Sequence, residues 1–218
     1  MLIDRLAEGL AAAGVDADDE ALERLVRWVG LHQRWSRRIN LTGPADAEEL
    51  IDRHLLDCAV VLRWLPPGPL VDVGSGAGLP GLVVAMLEPE RRMFLLESLE
   101  RRCAFLEQAV LTLALPNARV VHARCEHWQP PMRLAGVLAR AVAPLPKLLA
   151  MTAALLAAGT PLFAMKGPGW RDEVAGLPSD LRLTGQQHYR LPGRNHDHVL
   201  LRIERQADHD RVHDKEWG

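Results

Sequence analysis

The 218-residue chain has few cysteines, few lysines and almost no net charge. Its three cysteines, Cys58, Cys103 and Cys125, lie far apart with no C-x-x-C spacing. That excludes a disulfide framework and a structural zinc site, and it suits a reducing, cytoplasmic setting. Lys+Arg 26 against Asp+Glu 28 leaves −2, so any nucleic-acid contact must come from a local basic patch rather than bulk charge. Lysine occurs only at 147, 166 and 215 while Ala, Leu, Arg and Pro abound. This bias reads as GC-rich codon usage, so arginine abundance is not in itself a sign of phosphate binding. No basic region leads into a hydrophobic stretch near the start, where Asp4 and Glu8 interrupt the first turns, so no signal peptide is expected. The uncharged stretch from Leu148 to Met165 reaches the length of a short membrane span, but Gly159-Thr160-Pro161 breaks it. A buried helix, a turn and a buried strand are expected there, with no membrane contact. His196-Asp197-His198 and His209 to His213 have usable metal spacing but lack a third ligand of clear geometry, and no metal is expected.

What is present is ordinary globular material: 48% hydrophobic and 25% charged residues. The length fits one domain with an extension. Residues 1–65 read as a helical N-terminal extension, with Leu22, Leu25, Val26 and Val29 at three- and four-residue spacing and a second helix from about Ala45 to Leu65. Pro66-Pro67-Gly68-Pro69 marks the seam. Residues 66–204 alternate short apolar runs with helical segments, and the polar tail 205–218 is expected to be disordered. Strands are expected at Leu70–Val73, Met93–Leu96, Arg119–His122, Gly136–Ala139 and Leu162–Met165, then two extended runs, Leu181–Arg190 and His198–Ile203. Ser98 is placed to cap the helix after the second strand. The alternation predicts an α/β, Rossmann-like doubly wound parallel sheet.

The strongest local signal is Val71-Asp72-Val73-Gly74-Ser75-Gly76-Ala77-Gly78-Leu79-Pro80-Gly81. Gly76, Gly78 and Gly81 satisfy G-x-G-x-x-G between a strand and a helix, and Glu97 follows about 20 residues on, where a carboxylate can take ribose hydroxyls. A dinucleotide and S-adenosylmethionine compete for such a turn. An acid beside the glycines repels a pyrophosphate and favours a sulfonium and an ammonium. Asp72, in the D-x-G-x-G-x-G form, resembles the first motif of class I methyltransferases; it can also be a buried turn-former bonded to glycine amides.

Further motifs follow in order: Asn40-Leu41-Thr42, Arg53-His54-Leu55-Leu56-Asp57, Leu95-Leu96-Glu97-Ser98-Leu99 with Arg101-Arg102, Ala139-Arg140-Ala141 and Lys166-Gly167. Together, over roughly Leu22 to Ile203, they resemble the bacterial glucose-inhibited division protein B family of small-subunit ribosomal RNA methyltransferases. The resemblance implies a class I S-adenosylmethionine-dependent fold. It further implies methyl transfer to N7 of one guanine (position 527) of 16S ribosomal RNA, the RNA free or in the 30S subunit or its precursor. A monomer is expected. By the same resemblance Gly74, Leu79, Cys125 and Glu126 join Asp72, Gly76, Gly78, Glu97 and Arg140 in holding the cofactor. The chain departs from the family pattern at Cys58 (usually Ser), at Glu97 (usually Asp) and at Val142, where an aromatic usually stands.

Arg140, at the end of the fourth strand, is the expected catalytic residue, because ligands of open α/β sheets gather at that edge; the alternative is an ordinary salt bridge. Cys125 can instead be simple packing. Arg124 can hold RNA phosphate or shape the cofactor pocket, and Lys166 is a further RNA candidate. Arg24, Arg27, Arg34, Arg37 and Arg38, with Trp28 and Trp35 among them, form either an RNA-docking face or a solvated helix over core tryptophans; Arg34, Arg37 and Arg38 are the chosen contacts. No Asn-Pro-Pro-Tyr, Asp-Pro-Pro-Tyr or Pro-Cys follows the fourth strand, so neither an exocyclic-amine clamp nor a thiolate nucleophile is supported. Two rival functions remain: a small-molecule methyltransferase on the same fold, and a ribosome-assembly factor that binds the cofactor for structure alone.

Overall fold

The computed structural model describes residues 1–43, 46–191 and 197–206. It opens with helices α1 (Leu2–Ala12) and α2 (Asp19–Ser36). Asp18 starts α2 by accepting the Ala21 N–H at 2.8 Å, and Asp19 and Glu20 complement the dipole in its first turn. The second expected helix is one continuous but non-uniform segment, 47–64. It begins as α3 (Ala47–Leu50), widens to a π-helical stretch at Ile51–Leu55, resumes as α4 (Leu56–Val60) and tightens at Val61–Trp64. In the wide stretch the Leu56 N–H bonds to the Ile51 carbonyl, five residues back. Such bulges recur at functional sites, and this one carries Arg53 and His54.

The sheet then builds as β1 (Leu70–Val73), α5 (Gly81–Leu87), β2 (Met93–Glu97), α6 (Glu100–Thr112), β3 (Ala118–His122), a short turn at Cys125–His127, β4 (Gly136–Arg140), α7 (Leu145–Ala157), β5 (Leu162–Lys166), α8 (Trp170–Ala175), β6 (Leu181–Tyr189) and β7 (His198–Arg205). Strand order is β3-β2-β1-β4-β5-β7-β6. The first five strands run parallel, as the sequence predicts. β7 pairs antiparallel with both β5 and β6; the link from β6 to β7 is too short for a crossover helix, which makes that pair antiparallel. Leu148 to Met165 forms the expected helix, turn and strand, and no described helix is long and apolar enough to cross a membrane. One expectation fails locally. Ser98 does not cap α6, which starts after Leu99 with no side-chain cap; its N–H and that of Leu99 donate instead to Glu97 Oε1 at 2.7 and 2.9 Å, so the carboxylate at the strand end holds the link into the helix.

Alternation along the buried strands sends side chains into two cores. Leu70, Met93, Leu95 and Leu138 enter one, while Val71, Val73, Phe94 and Leu96 enter the other. The N-terminal helices share the first core: Leu6, Leu25, Trp28, Leu50 and Leu55 are fully buried in the same cluster as Leu82 and Phe105. Each such side chain contributes about 1.5–3 kcal/mol, which seats the extension on one face of the sheet. From β1 the chain winds outward through β2 and β3, then returns to β4 on the other side of β1. A ligand crevice is expected at that switch, at the carboxyl ends of β1 and β4.

Candidate active site

A cleft of about 450 Å³ opens at this switch point. One wall is the β1–α5 turn, contributing Gly74, Gly76 and Leu79. Gly76 has φ +53° and open space where a Cβ would stand, its nearest neighbour there being the Gly74 carbonyl oxygen at 3.7 Å. A side chain here is strained in the backbone and projects into the cleft. Gly81 has a different reason to be glycine: a Cβ would lie 2.4 Å from Leu95 Cδ2 and 2.8 Å from Asp72 Oδ2. Its absence lets α5 settle on the strands.

Asp72 lies beneath this turn, fully buried. Its Oδ2 accepts the Gly81 N–H at 3.0 Å, and its Oδ1 has no hydrogen-bond partner. Burial pushes its carboxyl up to about 7. Asp72 thus reaches the cleft only through the turn it holds. Glu97, also buried, receives the Gly76 N–H on Oε2 at 3.0 Å besides the Ser98 and Leu99 amides on Oε1. Arg102, from the Arg101-Arg102 pair, lines the cleft with its Nη1 3.9 Å from Glu97. Trp28 is not a stacking surface but a core residue, and its indole N–H donates to the Ala77 carbonyl at 3.2 Å. That bond ties α2 to the glycine turn.

The opposite wall is built from side chains remote in sequence. Arg140 leaves the end of β4 and donates from Nε to Asp57 Oδ2 at 2.8 Å, and from Nη2 to the Arg53 carbonyl at 3.1 Å and His54 Nδ1 at 2.9 Å. The Tyr189 hydroxyl donates to Asp57 Oδ1 at 2.8 Å, and His198 Nδ1 lies 3.6 Å from the same oxygen. The Asp57 and Arg140 side chains are 6% and 15% exposed, so this is a buried ion pair that closes the cleft against the N-terminal segment. The guanidinium donates, so His54 Nδ1 accepts and the neutral ring carries its proton on Nε2. Burial, helped by the Arg140 charge, lowers His54 to about 4. Ala141, next in the chain, has φ +55°, a strained conformation for a residue with a Cβ, of the kind that collects at functional sites.

The structure brings Gly74, Gly76, Leu79, Arg140 and Lys166 to the cleft, together with Thr42, His54 and Asp57 from the extension. Asp72 and Glu97 stand behind the turn, and Gly78, within it, faces Leu82 rather than the cleft. Cys125 and Glu126 follow β3 at the same carboxyl edge, Cys125 buried in the second core and Glu126 exposed. Arg124 is exposed beside them. The Lys166 ammonium is occupied: it donates to the Ala143 carbonyl at 3.1 Å and to Glu173 at 2.8 Å. Arg34, Arg37 and Arg38 surround a separate exposed concavity with Trp35. Among the described residues none of these three arginines forms an ion pair, whereas Arg24 and Arg27 pair with Glu20 and Glu23. Trp35 is half-buried, edge-on to Phe105. His196 and His209 to His213 lie outside the described residues; His198 lies against Asp57. Sequence reasoning missed Tyr189, and it weighed His198 only as a metal ligand. Tyr189 is the chain's single tyrosine, closing a strand after the polar run Thr184 to His188, and that was the available signal.

Residues 21–201 match the family described as rRNA small subunit methyltransferase G. The chain belongs to this family. Ribosomal RNA small subunit methyltransferase G of Chromohalobacter salexigens is 40% identical over 201 residues, covering 92% of this chain and 96% of that protein. The Halorhodospira halophila protein of the same name is 47% identical over 167 residues, 77% of this chain and 79% of that one. Among solved structures, TrmN from Thermus thermophilus aligns with a TM-score of 0.51 at 18% identity, over 72% of this chain and 53% of that one. A protein of the NADB-Rossmann superfamily from Streptococcus agalactiae aligns at 0.52 and 14% identity, over 68% and 67%. At such identities the likeness is one of fold, and the fold is that of a class I methyltransferase. The chain is therefore a methyltransferase of the ribosomal RNA type.

Proposed function

We infer that the chain transfers a methyl group from S-adenosylmethionine to N7 of one guanine of 16S ribosomal RNA, guanine 527 in standard numbering. The observation that supports this most is convergence: family motifs at His54, Asp57, Gly76 and Arg140, spread over the chain, line one cleft at the switch point of the sheet. The cleft suits the cofactor. Its volume is in the range of nucleoside-sized ligand sites, and Gly76 leaves the backbone bare where a ligand would approach. When bound, S-adenosylmethionine supplies an electrophilic methyl on a sulfonium.

In this reading Gly74, Gly76 and Leu79 form the cofactor floor, Gly78 lets the turn close over Leu82, and Asp72 and Glu97 hold the turn from behind. Cys125 and Glu126 flank the adenine end, and Arg124 stands beside them as cofactor or phosphate contact. Arg140 aligns the reacting groups. Guanine N7 carries a lone pair and no proton, so no residue need act as base, and in-line positioning supplies the catalysis. His54, kept neutral by burial, adds no positive charge beside a nitrogen that must accept one. Arg34, Arg37 and Arg38, whose charges no described carboxylate neutralises, are the RNA-docking face. Lys166, tied to Glu173, supports the cleft floor more than it offers charge to RNA. The protein acts as a cytoplasmic monomer on 16S RNA, free or within the 30S subunit or its precursor.

The test is methyl incorporation into 16S RNA from a strain lacking the protein, offered free and in 30S particles. A single 7-methylguanine is the expected product. Methylation of a small molecule with none of RNA, or cofactor binding with no transfer at all, would defeat the reading in favour of one or other rival.

A further inference from the structure

The buried ion pair at the cleft's second wall asks for a reason. Pairs of this kind are seldom kept for stability, because desolvation offsets most of the attraction and apolar residues of similar volume do as well or better. What a buried pair does supply is orientation. Asp57 uses both oxygens on different elements: Oδ2 on Arg140 at the end of β4, Oδ1 on Tyr189 at the end of β6. Both of its hydrogen-bond partners donate to it, and both are largely buried. Arg140 gains three bonds that fix both the position and the plane of its guanidinium. Tyr189 is itself held, its ring stacked on His198 at 5.5 Å and lying 6.0 Å from that of Trp64. The Arg53 carbonyl and the His54 ring that complete the network belong to the π-helical stretch, where the helix is already deformed.

We propose that Asp57 is a positioning residue for methyl transfer: its buried carboxylate locks Arg140 and Tyr189 in place, and through Arg140 fixes the His54 segment across the cleft. The proposal rests on the methyl-transfer reading above. Asp57 need not touch the substrate; it acts through Arg140. A loosening of about 1 Å at such a site costs on the order of a hundredfold in rate, while a purely structural strut would cost stability and leave the folded enzyme's rate alone.

The experiment measures single-turnover transfer to 16S RNA at saturating S-adenosylmethionine, at a temperature where circular dichroism shows each variant folded. Asp57→Asn keeps the shape but removes the negative charge that holds the Arg140 guanidinium, and its new N–H can keep Tyr189 only if that hydroxyl turns to accept. We expect a rate loss of about tenfold to a hundredfold, with the KM for RNA changed by less than about threefold. In a double-mutant cycle, adding Asp57→Asn to Arg140→Lys should cost little beyond Arg140→Lys alone, because both break one unit. Tyr189→Phe removes a single hydroxyl and keeps the packing; it should lower the rate by several-fold, and it carries the test alone if Asp57→Asn does not fold. Folded Asp57→Asn or Tyr189→Phe at the wild-type rate, or losses that simply multiply in the cycle, would overturn the proposal. A wild-type protein without transfer would defeat the functional reading, and the proposal with it; a wild type that transfers beside an unimpaired Asp57→Asn defeats the proposal alone.

Discussion

The two walls of the cleft are made of different materials. The glycine wall is backbone: a tight turn whose amides are held from below by Asp72 and Glu97, with nothing but hydrogen at Gly76 facing the cavity. The opposite wall is charge: Arg140, Asp57, His54 and Tyr189, drawn from four elements and bonded to one another. A backbone wall fails when something is added to it, because a side chain at Gly76 strains the left-handed backbone and takes the ligand's place. A charged wall fails when something is taken away, because the partner left behind is buried and unpaired. The two kinds of substitution should therefore give distinguishable losses.

The largest effect is expected from Arg140→Ala. It strands Asp57 at 6% exposure, which should lower stability by about 3–5 kcal/mol and, in the remaining folded protein, abolish most methyl transfer. Chemical denaturation and activity per folded molecule measure the two losses separately. Arg140→Lys keeps the charge but not the fork, and should recover part of the stability and little of the rate. Gly76→Val should instead remove cofactor binding in calorimetry while costing only about 1–2 kcal/mol of stability from the left-handed backbone. Tight NAD binding in place of S-adenosylmethionine would break the account of this wall.

A smaller effect follows from protons. His32 and His54 are both held near 4 by burial. As pH falls below about 6.5, the unfolded chain takes up two protons that the folded chain refuses, so stability declines until about pH 4. Asp72, pushed up to about 7, works the other way across this window, since the folded state keeps a proton that the unfolded state loses. Two against one leaves a net loss on acidification. Thermal melts from pH 7 to 4 should show it; His54→Gln should flatten the decline and Asp72→Asn should steepen it. The smallest effect on the fold, and none on either wall, is expected from removing Arg34, Arg37 and Arg38 together. RNA binding should weaken and the slope of log affinity against log salt should drop by about 2, from roughly 0.7 per lost phosphate contact on single strands. Cofactor affinity should not change; an unaltered slope would make these arginines ordinary solvated charge.

The contrast between the walls also explains what could be read in advance. The glycine wall is contiguous, Asp72 to Gly81, so its turn, its strand and its helix were legible from one stretch of sequence. Four of the five parallel strands were legible for the same reason, each being a short apolar run, and β3 was legible from Val120-Val121. The charged wall is not local: Asp57 and Arg140 are 83 residues apart, and Asp57 and Tyr189 are 132 apart. No spacing rule joins them, and only the resemblance to a family hinted that His54, Asp57 and Arg140 belong together. Tyr189 was not singled out, and His198 was weighed only for metal spacing, because both arrive on the antiparallel pair, whose direction the strand–helix alternation did not predict. Lys166 was legible as a motif but not as an ion pair, since Glu173 reaches it from α8, a helix the sequence reading did not expect.

The central claim is that both walls serve one reaction. It is tested most directly by offering wild-type protein and Arg140→Ala the same 16S RNA, from a strain lacking the protein, at saturating S-adenosylmethionine and at a temperature where both are folded. The account predicts 7-methylguanine at one position with the wild type and a loss on the order of a hundredfold or more with the variant. Equal methylation by the two, or none by the wild type, would contradict it.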